Sequence, residues 1–126
     1  MKRIVITAGD ITVSAELNES PTAQKIWEAL PIEAEANTWG EEIYFEIPVK
    51  AAQAPDARQD VDVGELGYWP VGHAFCIFFG RTPASLDERP RAYSPVNILG
   101  RVIGDATRFR AVKDSARITI AREAKA

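Results

Sequence analysis

Hydrophobic and polar positions alternate over residues 3–7 and again over 11–17, with Gly9-Asp10 between them. Alternation with a period of two puts one set of side chains on one sheet face, and Gly-Asp is a turn signal, so the chain is expected to open with a β-hairpin. The period then changes. Ala23, Ile26, Trp27 and Leu30 fall at helical spacing, behind a Ser20-Pro21 start. Ser caps the free N–H groups of a helix, Pro is tolerated at its first position, and Pro31 stops it. The apolar stripe is expected to pack this short helix over the mouth of a sheet or barrel.

Residues 41–49 alternate again. Ile43, Phe45 and Ile47 share one face, and Glu42, Tyr44 and Glu46 the other, which reads as a solvated strand face. Residues 51–60 have no period and read as a surface loop. Residues 61–66, interrupted by Gly64, read as a short edge strand. The segment 67–72 is rich in Gly, Pro and aromatic residues and reads as a turn. It leads into Ala74-Phe75-Cys76-Ile77-Phe78-Phe79, the most apolar run, which is too short for a buried helix and reads as a strand buried on both faces. Residues 81–95, carrying three prolines, read as a long loop. A strand is expected over 96–103, a short helix capped by Asp105 over 106–112, and a last strand over 116–121. Six or more short strands with two short helices favour an antiparallel barrel or sandwich. The 126 residues fit one domain spanning 1–126.

Charge and composition narrow the function classes. The formal net charge is −3, and the basic residues are scattered, which speaks against a nucleic-acid partner. No apolar stretch approaches the ~20 residues that cross a membrane, and no secretory signal opens the chain, so the expected address is the cytoplasm, with no membrane partner. The single cysteine, Cys76, permits no internal disulfide. Inside an apolar run it reads as a small buried hydrophobe. One His and one buried Cys leave too few ligands for a metal site, and no Gly-rich phosphate loop is present, so no metal or cofactor is expected.

Two stretches carry a resemblance. One is Asn37-Thr38-Trp39-Gly40-Glu41-Glu42-Ile43-Tyr44-Phe45; the other is Gly67-Tyr68-Trp69-Pro70-Val71-Gly72, continuing to Phe78-Phe79-Gly80-Arg81-Thr82-Pro83. With Val96-Asn97-Ile98-Leu99-Gly100-Arg101-Val102 they make the chain similar, over essentially its whole length, to the stand-alone prokaryotic cyclophilin-like proteins, a family of unknown function. The resemblance implies a mostly β fold: a closed, antiparallel, eight-stranded barrel with short helices at its ends.

True cyclophilins are prolyl cis-trans isomerases. On a register set by the Phe-Phe strand end, Phe79 stands for one aromatic wall of the proline pocket. The isomerase pattern is otherwise missing. The strand over 41–49 has no Arg, no Gln-Gly-Gly-Asp segment exists, and the pocket His would fall near Val96. Rotation about the amide faces a ~18–20 kcal/mol barrier, and a fixed donor to the amide nitrogen lowers it.

The leading expectation is therefore a barrel that binds a small molecule or a proline-containing peptide, with no catalytic residue assigned. Trp39, Tyr68, Trp69, His73 and Phe79 are its candidate surface, with Asn37, Glu41 and Asn97 as polar contacts; Thr38 belongs to the same turn. His73 would need an orienting carboxylate to act as acid or base, from Glu41, Glu42 or Glu65. The alternatives are a weak isomerase using Arg81 or Arg101 as donor, and a subunit or interaction module of an amide-processing enzyme. Pairing of two copies through an exposed edge strand would give a homodimer.

Overall fold

The computed structural model describes residues 2–124. The opening hairpin forms as expected: β1 (Lys2–Ala8) and β2 (Ile11–Leu17) pair antiparallel, with Ala8 opposite Ile11. Helix α1 (Pro21–Ala29) follows. The Ser20 side chain accepts from the Ala23 N–H, and Ala23 and Ile26 are buried in the core. Next come β3 (Ile32–Glu35), β4 (Asn37–Thr38), β5 (Glu42–Glu46), β6 (Arg58–Asp60), β7 (Glu65–Trp69), β8 (Ala74–Phe78) and β9 (Arg91–Ile103). A short 3₁₀ helix (Ala106–Ala111), capped by Asp105, precedes β10 (Arg117–Arg122).

The strands hydrogen-bond in the order β3-β10-β1-β2-β9-β7-β8-β5-β4, and β6 pairs with β9 off this path. Every pairing is antiparallel. This corrects the expected closed eight-stranded barrel in two respects. The described residues form ten strands, and their hydrogen-bonded path has two ends, β3 and β4, rather than closing as a ring. Those ends are successive segments of chain divided only by Ala36. Ala36 is fully buried, donates to the Ala116 carbonyl and accepts from the Ser115 N–H. The seam is thus bridged by the covalent chain.

The inner core takes one face of nearly every strand: Ile4 and Ile6, Val13, Ala15 and Leu17, Ile43 and Phe45, Leu66 and Tyr68, Phe75 and Ile77, Leu99, Ile118 and Ile120. Phe109 of the 3₁₀ helix fills one end. Strand β9 passes β2 closely at Gly100, where φ is +148° and an added Cβ would lie 1.8 Å from the Glu16 carbonyl oxygen. Only glycine fits there.

Three segments depart from the expected layout. The strand expected at 61–66 is β7, Glu65–Trp69, and it lies inside the sheet, hydrogen-bonded to β8 and β9. Tyr68 and Trp69 accordingly sit on a strand rather than in a turn. The expected loop over 81–95 ends at Pro90, where β9 begins. The outer face of β5, expected to be solvated, is partly buried: Glu42 is 5% exposed. The reason is β6 and the first half of β9, which fold over the outside of the sheet. They enclose a second apolar cluster of Val61, Cys76, Phe78, Ala92 and Val96, against which Tyr44, Trp69 and Ile98 pack. β8 is therefore buried on both faces, as its sequence implies.

Candidate functional site

Alternation along the strands decides what this outer cluster contains. With Ile43 and Phe45 turned inward, Glu42 and Tyr44 turn outward; with Phe75 and Ile77 inward, Cys76 and Phe78 turn outward. Glu42 is opposite Phe78 and Tyr44 opposite Cys76 in the β5–β8 ladder. On this face lies a cavity of about 150 Å³ lined by Trp39, Glu42, Tyr44, Trp69, Cys76, Ala92, Tyr93 and Val96.

Its walls are aromatic. The Tyr93 ring meets Trp39 edge-on at 6.1 Å and 74°, and Trp69 at 5.9 Å and 76°. Tyr93 thus stands nearly perpendicular to both indoles, forming a box. Trp69 is fixed from two sides. Its indole N–H donates to Ser94 Oγ at 2.6 Å, and its ring lies against Gly72, where an added Cβ would come within 2.5 Å of it.

Glu42 is the one carboxylic acid in the lining, and its Oε1 is buried without a hydrogen-bond partner. A carboxylate in such surroundings loses its hydration with little compensation. Burial pushes the Glu42 carboxyl up to about 8, and the neighbouring Cys76 thiol offsets part of that. The thiol is itself held well above its ordinary value, first by burial and then by the Glu42 charge. At neutral pH Glu42 is therefore chiefly a neutral acid, able to donate one hydrogen bond into the cavity.

Of the residues singled out in the sequence, the structure brings Trp39 and Trp69 together here. The others lie elsewhere. Tyr68 turns into the core, fully buried, and its hydroxyl donates to the Val49 carbonyl at 2.6 Å. Phe79 also packs inside, 6.1 Å from the Phe109 ring. Asn97 is buried beneath the loop after β5. It accepts from the Ala54 N–H at 2.7 Å and donates to the Ala52 carbonyl and Thr22 Oγ1, each at 3.0 Å. Asn37 is exposed and donates to the Tyr44 carbonyl. The Thr38 N–H and hydroxyl both donate to Asp114. Glu41 pairs with Arg110.

His73 occupies a left-handed turn position with φ 49° and lies outside the cavity lining. The carboxylates matched with it in the sequence reading are committed elsewhere: Glu41 to Arg110, Glu65 to Arg58, and Glu42 to the cavity. Arg81 pairs with Glu88 on an exposed loop, and Arg101 is exposed on β9; neither lines the cavity.

The residues missed are Glu42, Tyr44, Cys76 and Tyr93. A signal for the first three was present: a strand buried on both faces needs a cover on its outer side, and its neighbour's outer residues share that cover. Tyr93, in a proline-rich segment without period, had none. Among the described residues no cluster of His, Cys, Asp or Glu could hold a metal ion, and no helix is long and apolar enough to cross a membrane.

The chain resembles the solution structure of the hypothetical protein AF2241 from Archaeoglobus fulgidus, with a TM-score of 0.82 and 35% sequence identity over 97% of this chain and 95% of that one. No curated protein matches it. Residues 2–121 match the family described as Cyclophilin-like, which agrees with the mostly β, antiparallel architecture, and the chain belongs to that family.

Proposed function

We propose that this protein is a binding barrel, and that its site is the outer cavity enclosed by Trp39, Trp69 and Tyr93 above Glu42. The observation that carries the reading is the aromatic box over a buried carboxyl whose Oε1 has no partner. Recognition pockets combine apolar walls with a few polar groups that orient the ligand, and burying such a group without a partner costs stability. A volume of about 150 Å³ suits one small ring or branched alkyl group, either a small molecule or the anchoring group of a peptide. The proposed ligand contacts are Trp39 and Trp69 from the sequence reading, joined by Glu42, Tyr44 and Tyr93.

An NMR titration tests this. Fragments of ring size and a short Xaa-Pro peptide are added in turn, and the indole and backbone signals of Trp39, Trp69 and Tyr93 are followed. Saturable shifts confined to these residues support the reading. Shifts absent for every compound sink it.

One observation favours a second reading, a weak prolyl isomerase. The neutral Glu42 carboxyl is a hydrogen-bond donor facing an aromatic pocket, and it could serve where Arg is missing. Exchange cross-peaks between the cis and trans peptide forms in the same titration would support this reading, and their loss in E42L would assign the donor.

A further inference from the structure

Building on that reading of the outer cavity, we infer that its ligand is an organic cation, an alkylated ammonium group seated between the aromatic rings with its charge over Glu42.

Aromatic rings present negative faces, and a cation within about 6 Å of a ring centroid is attracted to them. Trp39, Trp69 and Tyr93 surround one small volume, with Tyr93 nearly perpendicular to both indoles, and Tyr44 adds a fourth ring to the lining. A box of this kind stabilises a central positive charge more than it stabilises a neutral group of equal size.

The second observation is Glu42 itself. It is 5% exposed, its Oε1 has no partner, and no Lys, Arg or His lines the cavity. The nearest comparison on this face is Glu65, which is also buried but accepts from Nη1 and Nη2 of Arg58, at 3.1 and 2.9 Å, and from the Asp62 N–H at 2.8 Å. Among the described residues a counter-charge is supplied for Glu65 and none for Glu42. A ligand that brings its own positive charge completes the site. A bare metal cation does not fit, because it needs several oxygen ligands and only one carboxyl is offered.

The titratable groups facing Glu42 are Tyr44 from its own strand, Cys76 from β8 and Tyr93 from β9. None is a base, so the charge state of the cavity near neutrality follows Glu42. A cation binds the ionised carboxylate. Its affinity rises about tenfold per pH unit between pH 6 and 7, and levels off above the Glu42 midpoint of about 8. A neutral acceptor, such as an amide carbonyl, needs the protonated acid, and its affinity falls above that midpoint.

The experiment compares choline with its uncharged isostere 3,3-dimethylbutan-1-ol, each titrated into the full chain at pH 6, 7 and 8 and read at the Trp39, Trp69 and Tyr93 signals. The expected result is choline binding that strengthens about tenfold from pH 6 to 7, with the isostere at least tenfold weaker at pH 8. E42Q should lose the pH dependence and reduce the preference to the smaller one that the rings alone supply. Tyr93, largely exposed, gives a second variant that spares the fold: Y93L should weaken choline at least tenfold and Y93F should retain it. Choline that fails to bind, binds independently of pH, or binds no better than the isostere overturns the inference. If the isostere or the Xaa-Pro peptide still shifts the same signals, the cavity remains a binding site for neutral ligands. If no probe shifts them, the binding reading falls too.

Discussion

Glu42 and Glu65 are both buried on the outer face of the sheet, on strands that flank β8, yet Arg58 grips Glu65 while among the described residues no cation pairs with Glu42. The pair separates two roles for a buried carboxyl. With Arg58 and the Asp62 N–H, Glu65 pins β6 and the turn before β7 to the barrel. Glu42 pins nothing and faces a cavity.

This asymmetry gives a stability signature. Burial holds the Glu42 carboxyl near 8 in the folded protein, against its ordinary value of about 4.5 when unfolded. Between these values the folded state holds a proton that the unfolded state has released. Stability therefore falls as pH rises from about 4.5 to 8, by about 1.4 kcal/mol per pH unit at most, and is flat with respect to this group outside that window. Denaturant melts at pH 5, 6, 7 and 8 should show the fall, and E42Q should remove most of it. A wild-type slope equal to that of E42Q would place Glu42 in contact with solvent.

Cys76 is buried and its thiol is held above its ordinary value, so little thiolate is present to react. The native protein is expected to resist a disulfide reagent at pH 8 and to release one equivalent of thiol on unfolding in denaturant. Rapid reaction of the folded protein would show that the cavity floor opens.

Asn97 secures the loop after β5 to the barrel and to α1 through three hydrogen bonds. N97A leaves the Ala54 N–H, the Ala52 carbonyl and the Thr22 hydroxyl without their partner, at a cost of about 2–3 kcal/mol. Chemical denaturation measures this. Ligand affinity at the outer cavity should be unchanged, which would assign Asn97 to the fold rather than the site.

Trp69 keeps its orientation because Gly72 leaves room for it. G72A places a methyl group against the indole, so the ring must move and the box widens. We expect at least a tenfold loss of affinity for any ligand of the cavity, with a stability cost of about 1–2 kcal/mol. W39A removes a half-buried wall at similar cost to binding while the chain stays folded. Titration calorimetry with the best probe, beside a thermal melt of each variant, checks both.

Periodicity carried most of the fold. The hairpin at 2–17, the capped helix, β8 and the final strand are legible because each has one clear period and a clear stop signal. β7 was displaced because Gly64 and the cluster around Pro70 look like turns, whereas Gly67 is required inside the strand: an added Cβ would lie 2.9 Å from Val96. Trp39 and Trp69 stood out because large aromatics beside Gly and Pro need a reason. Tyr68 and Phe79 looked equivalent to them. Only the direction of each strand's alternation, which residue counting alone does not fix, sends those two inward. Glu42 was hidden for a related reason: its burial depends on β6 and β9 folding over it from far along the chain.

The bridged seam at Ala36 bears on how copies of this chain meet one another. An open sheet offers its last strand as a template for a neighbour's backbone, the usual start of strand exchange and fibrous aggregation. Here the hydrogen-bonded path ends in β3 and β4, of four and two residues, and β6 adds a border of three; β3 carries Glu33 and Glu35, and β6 carries Arg58 and Asp60. β4 is uncharged but only two residues long, and β3 and β6 are short and charged, so these borders make poor templates for another backbone and discourage polymerisation along the sheet's ends.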